Sequence, residues 1–206
     1  MKRVLIGCER FGVVREAFKA RGWDAWSCDI APSAIPGNHI QGDILRVLQD
    51  SLISRWDLMI FHPPCTYLTN SGVRWLWNKD GSKNLVRWEN LEKAAMLFKS
   101  LLNSNCERIA VENPIPHRYA KELIGQDYTQ IIHPYQFGHL ERKSTCLWLK
   151  GLPKLQPTND VKAEMLKLPK NEQHRLFYLP PSSGRAMLRS KTFQGIANAM
   201  AEQWNF

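Results

Sequence analysis

The chain has 206 residues and carries 28 Lys and Arg against 19 Asp and Glu, a formal charge of +9. With 44% hydrophobic and 23% charged residues it has the composition of a folded protein with a real core, which excludes a disordered tail. No apolar run approaches the roughly 18 residues of a membrane-spanning helix. Charge also interrupts the N-terminal apolar stretch after Cys8, so neither a membrane partner nor a signal peptide is expected. The cysteines at 8, 28, 65, 106 and 146 are odd in number and contain no CxxC pair, which fits reduced thiols in a cytoplasmic protein. A basic balance of this size admits a polyanionic partner without requiring one.

In chain order, Arg3–Cys8 reads as a short buried strand, Glu9–Gly12 as a turn, and Val13–Ala20 as a helix closed by Gly22. Trp23–Ile30 is a second strand, and the prolines of Ala31–Gly37 make that segment a loop. His39–Ile44 leads into a helical stretch reaching Leu52, and Trp56–Phe61 is a continuous apolar strand stopped by His62-Pro63-Pro64. Residues 66–84 lack periodicity, whereas Leu85–Leu102 returns to a strong helical period. Arg108–Val111, Thr129–Ile132 and Thr145–Leu149 are further strands, 151–190 is a proline-rich irregular insertion, and Gln194–Trp204 is a closing helix. Strands alternating with helices predict a single Rossmann-like α/β domain over 1–206, with a parallel, doubly wound sheet and its sites at the strand C-termini.

Chemistry-bearing residues fall at those strand ends. Gly7 and Gly12 bracket the first tight turn, and Asp29 ends the second strand, where such folds place a carboxylate on ribose hydroxyls. A plain βαβ unit explains the same residues about equally well. Asp43 is either an acceptor for an adenine amino group or a helix N-cap. In DLMIFHPPC a buried strand delivers a rigid Pro-Pro corner and then Cys65, a position suited to a nucleophilic thiol. The remaining cysteines read as small buried hydrophobes. Glu112 repeats the pattern at the end of the next strand, where its carboxyl group can face Cys65.

The loop after Cys65 offers Arg74, Lys79 and Lys83 for phosphates, with Trp75 and Trp77 either stacking on bases or packed against the sheet. Arg185, Arg189 and Lys191, with His174 and Arg175, form a second basic cluster. His62 and Cys65 lack a second ligand pair at zinc-site spacing, so no metal is expected.

Taken together, HPPC ending at Cys65, the Thr69–Gly72 loop, VENP around Glu112, ERKSTCLWL and QGIANAMA resemble the ordered motifs of cytosine-C5 DNA methyltransferases. The resemblance is greatest to short phage and prophage forms and spans nearly the whole chain. It implies a class I, S-adenosylmethionine-dependent methyltransferase fold. It also implies that Cys65 attacks cytosine C6 while a protonated Glu112 bonds N3, with Arg142 and Lys143 near the cytosine O2 or a phosphate. Gly7, Gly12, Asp29 and Asp43 would bind S-adenosylmethionine, with Pro63 and Asn198 beside it. The chain departs from the family pattern in lacking FxGxGG in its first motif, in Thr66 after the cysteine, and in Pro114 after Glu-Asn. Only 151–190 stands where a target-recognition domain is usual, so sequence specificity is expected to be short, absent or supplied by a partner. The alternatives are the same chemistry on RNA, single strands or a free cytosine nucleotide, or a non-catalytic, anti-defence protein that binds DNA or the cofactor.

Overall fold

A computed structural model describes residues 1–50, 55–182 and 184–206. The apolar runs have no polar face to turn outward, so they form the centre of one sheet covered on both sides. Its strands are β1 (Arg3–Gly7), β2 (Asp24–Asp29), β3 (His39–Gln41), β4 (Leu58–Phe61), β5 (Ile109–Pro114), β6 (Gln130–Ile132) and β7 (Thr145–Lys150). They lie in the order β3-β2-β1-β4-β5-β7-β6. Strands β1 to β5 pair in parallel, whereas β7 runs antiparallel to both β5 and β6. This is a Rossmann-like, mostly parallel and doubly wound architecture. The parallel, doubly wound sheet expected from the strand–helix alternation is found over β1 to β5, and β7 is its antiparallel strand. Between β6 and β7 the chain forms only a 3-10 turn at Pro134–Gln136, and without a crossover helix the strand returns antiparallel.

The helices are α1 (Val13–Lys19), α2 (Ile44–Gln49), α3 (Leu85–Leu102), α4 (Arg118–Ile124), four short helices in the insertion, and α9 (Gln194–Gln203). The four are α5 (Lys162–Leu166), α6 (Lys170–Gln173), α7 (Arg175–Tyr178) and α8 (Arg185–Ser190). Val4, Ile6, Leu58 and Ile60 face one core with Phe18 of α1 and Met200 of α9. Leu5, Met59 and Phe61 face the other with Leu91, Phe98 and Leu101 of α3. The period-2 alternation along β1 and β4 thus divides the protein into two layers. Neither α4 nor the 3-10 stretch at Asn70–Leu76 has a clear period in the sequence, because each is short and buries only two residues, Ala120 and Ile124 in α4 and Gly72 and Leu76 in the 3-10 stretch. The expected end of the second helix at Leu52 lies outside the described residues. No described helix is long and apolar enough to cross a membrane.

The turn after β1 is built around internal charges. Gly12 adopts a left-handed conformation (φ 65°) as the N-cap of α1, and the space beside it is filled by the Arg15 guanidinium. Arg15 is fully buried and donates to Ser27 Oγ (3.0 Å), Ser33 Oγ (3.2 Å) and the Pro36 carbonyl (2.9 Å). Its Nε pairs with Glu16 at 2.8 Å. One side chain therefore fastens the 31–38 loop beside the end of β2. Arg15→Ala is expected to cost about 3 kcal/mol in urea denaturation, because it strands those acceptors and opens a void. An unchanged midpoint would refute this anchoring role.

Candidate active site

The parallel register of β4 and β5 sets Phe61 opposite Val111, so the next residues stand side by side, His62 just past the end of β4 and Glu112 still within β5. Their side chains meet at 3.1 Å between His62 Nδ1 and a Glu112 carboxylate oxygen. The His62 backbone N–H donates to the Gly7 carbonyl (3.0 Å), which joins this corner to β1. Buried Asn113 donates from Nδ2 to the Pro63 carbonyl at 2.9 Å and so ties β5 to the Pro-Pro turn. The half-buried Cys65 opens the following turn, its carbonyl accepting from Leu68 and Thr69.

Strand β7 brings the third part of the site. Thr145 stands at its start, and Lys143, just before it, donates from Nζ to the Arg189 carbonyl of α8 (2.9 Å). Burial pushes the Cys65 thiol above its usual range and the Glu112 charge adds to this, while Lys143 and Arg189 oppose it. Burial also works to raise Glu112, but the His62 hydrogen bond and charge, then Lys143 and Thr145, outweigh it and hold the carboxyl below its usual range. An imidazole and an ammonium group facing Glu112 thus favour its charged form in the free protein.

Of the residues expected at the reaction centre, Cys65, Glu112 and Lys143 share one electrostatic environment, and Arg189 joins them from the second basic cluster. Arg142 points elsewhere: its side chain is exposed, and its charge acts on His133. Lys191 lines a small concavity with Glu112, Lys143, Thr145 and Phe193, whereas Arg185 donates to the Phe177 carbonyl (2.8 Å). A cavity of about 510 Å³ lies at the other end of β4 and β5, around Trp56 and Arg108.

At the neighbouring strand ends, Asp29 and Asp43 both act on Cys8, whose thiol burial and those charges push up to about 12. Asp29 accepts from the Ala31 N–H (2.9 Å), and Asp43 caps α2 through the Leu45 N–H (2.9 Å). At Gly7 the space of a Cβ is taken by the Phe61 ring. Pro63 is buried, and Asn198 is exposed on α9, accepting from Gln194. Glu9 is buried, and its carboxylate accepts from the first free amides of α1, Val14 (2.7 Å) and Arg15 (3.2 Å). Burial holds the Glu9 carboxyl above its usual range, with His62 the chief opposing influence. His62 thus stands under the influence of both Glu9 and Glu112, and its Nε2 is buried without a hydrogen-bond partner.

In the loop, Trp75 is 53% exposed and Trp77 38%, so neither is buried against the sheet. Arg74 lies over Trp75 (4.4 Å), Lys83 over Trp88 (4.7 Å), and Lys79 is exposed. The sequence reading missed Glu9, Arg15 and Asn113, and it weighed His62 only as a metal ligand. His62 was within reach of the argument that found Cys65, since it is the first polar residue after the same apolar run.

No known family profile matches the chain, and no curated protein matches it. It is similar to solved structures at low identity. A candidate DNA modification methyltransferase encoded within an E. coli prophage is 16% identical, with 82% of this chain and 56% of that chain covered and a TM-score of 0.48. The S. pombe Dnmt2 methyltransferase is 19% identical, with 88% and 60% covered and a TM-score of 0.44. The Entamoeba histolytica methyltransferase EhMeth is 15% identical, with 79% and 57% covered and a TM-score of 0.46. The chain therefore spans under two thirds of the length of these structures.

The charge arrangement makes opposite predictions for two variants. Glu112→Gln removes a negative charge facing Cys65 and is expected to speed iodoacetamide alkylation of that thiol at pH 8 by up to about tenfold, and Lys143→Ala is expected to slow it. Equal rates in both variants, measured by mass spectrometry of the Cys65 peptide, would show that neither group faces the thiol.

Proposed function

We propose that the chain transfers a methyl group from S-adenosylmethionine to C5 of cytosine in DNA, with Cys65 as the nucleophile. The observation that carries this reading is the convergence of Cys65 and Glu112, from the C-terminal ends of β4 and β5, with Lys143 from the start of antiparallel β7. A thiol beside a carboxylate and an ammonium group suits addition to an electron-poor ring.

The chain's donor set fits the cofactor. S-adenosylmethionine carries a sulfonium and an ammonium charge, and Asp29, Asp43 and buried Glu9 surround the ends of β1 and β2 with carboxylates. Asp29 stands where ribose hydroxyls are held in such folds. Glu9 occupies the α1 amides that would otherwise receive an anion, so it would meet the ammonium group of the cofactor's amino-acid end. When bound, the cofactor supplies an electrophilic methyl group.

The remaining chemistry belongs to the protein. Cys65 loses its proton to solvent and its sulfur bonds to C6, the 5,6 electron pair moving toward C5. Lys143 stabilises the thiolate before attack and the polarised ring afterwards. The Glu112 carboxylate accepts a hydrogen bond from the cytosine 4-amino group, and a proton reaches N3 through the Glu112–His62 contact. After C5 has been alkylated, loss of the C5 proton restores the 5,6 double bond and expels Cys65. Arg74, Trp75, Trp77, Lys79 and Lys83 cover the DNA around an extruded base, with Arg189 and Lys191 on the opposite rim.

Cys65→Ser is expected to abolish transfer of radiolabelled methyl groups to cytosine-containing DNA while leaving the circular dichroism spectrum unchanged. An active serine variant would sink the reading. Because thiolate is the reactive form and the thiol is held above its usual 9.0, the rate at saturating substrate is expected to climb with pH through 9 and beyond. A plateau at neutral pH would count against Cys65 as the titrating group.

A further inference from the structure

The rings and cations beside the active site extend well beyond the loop that follows Cys65. Arg87 of α3 donates to the Thr66 carbonyl (3.4 Å) and lies over the Tyr67 ring (4.6 Å), directly next to the nucleophile. His117 joins the same spot to α4, its Nε2 meeting the Tyr67 carbonyl at 2.9 Å. From there Tyr119, Trp88 and Trp77 continue edge to face, with ring centroids 5.1 Å apart for Trp88–Tyr119 and 5.9 Å for Trp77–Trp88. Arg118 lies over Tyr119 (4.4 Å), as Lys83 does over Trp88.

The charges are one-sided. Three nearby acids are already engaged, Glu89 by Lys93 (2.6 Å), Asp127 by Lys121 (3.2 Å) and Asp80 by its own turn through Ser82 (2.7 Å), while Glu122 acts on Arg118 from beyond ion-pair distance. Arg74, Lys79, Lys83, Arg87 and Arg118 have no carboxylate at ion-pair distance among the described residues. Rings that served only to close the core would not need this coat of free cations.

We infer that this surface, running from Tyr67 through Tyr119 and Trp88 to Trp77, is a track for single-stranded DNA leading to Cys65. This deepens the proposed function and rests on it for the identity of the strand as DNA. A duplex keeps its base faces stacked and offers the rings nothing to pair with, whereas a single strand presents a face at every nucleotide. Each cation covers a ring until a base takes that face, and the freed cation then pairs with the adjoining phosphate. The small size of the insertion agrees with a strand followed by its backbone and base faces rather than read by sequence.

The test uses the full chain and an oligothymidylate of about 20 nucleotides, which contains no cytosine, so binding is independent of methyl transfer. Tryptophan fluorescence is expected to fall on titration, with affinity at least about tenfold above that for a duplex of equal length at the same salt. Trp77→Ala and Arg118→Ala are each expected to weaken binding about tenfold, and Trp77→Phe to restore most of it. Lys99→Ala and Lys154→Ala, exposed elsewhere, remove equal charge and are expected to bind as the parent does. Equal or tighter binding to duplex, unchanged binding in both track variants, or tighter binding to oligouridylate would overturn the assignment. Methylation of duplex without oligothymidylate binding overturns the track and leaves the proposed function standing. Oligothymidylate binding without methyl transfer to any cytosine strand does the reverse.

Discussion

The candidate site depends on the parallel register between β4 and β5. With Phe61 opposite Val111, β4 ends while β5 continues to Pro114, and the first polar residue after each apolar run, His62 and Glu112, stands at the same height. The Glu112–His62 contact and the Asn113–Pro63 hydrogen bond both follow from that alignment. A slip of one residue would turn Glu112 to the opposite face and leave Cys65 without a partner. The corner is also held from β1, through the hydrogen bond from His62 to Gly7, so three central strands fix the position of the thiol.

Around that corner the charges are arranged in alternation. Glu9 and Glu112 both influence His62, and Glu112 and Lys143 both influence Cys65. A buried carboxylate without such company would take up a proton, and burial does push Glu9 that way. Glu112 goes the other way because more than one positive or donating group faces it. The antiparallel β7 matters for this reason: its reversal places Lys143 and Thr145 beside Glu112 at the active edge of the sheet, where a parallel strand would have begun at the far edge. The same reversal separates Arg142 from Lys143, although they are adjacent in sequence.

The aromatic surface connects packing with recognition. Tyr67, Trp88 and Tyr119 each rest one side on the second core and leave the other outward. Their positions are therefore set by the fold before any ligand arrives, so little ordering cost remains for binding. Cations stacked on rings add attraction at modest cost, and both partners are the groups a nucleic acid uses.

Much of the fold was legible in the residues. The runs VLI, LMIF and IAV had to be buried strands, the period of Leu85–Leu102 had to be a helix, and the polar residues ending those strands marked where chemistry sits. Cys65 and Glu112 were both picked out in this way, Cys65 just after the Pro-Pro corner that follows one apolar run and Glu112 at the end of the next. Local pattern carries that information because burial acts on each segment separately. It does not carry relations between segments. The reversal of β7, the pairing of His62 with Glu112, the filling of the first turn by Glu9 and Arg15, and the choice of Lys143 over Arg142 depend on distances between residues far apart in the chain. So does the downward shift of the Glu112 carboxyl, because a pKa reflects every charge around a group. The sequence by itself thus determined which segments are buried and where their reactive ends lie, and only the tertiary structure decided which of those ends meet and with what charge.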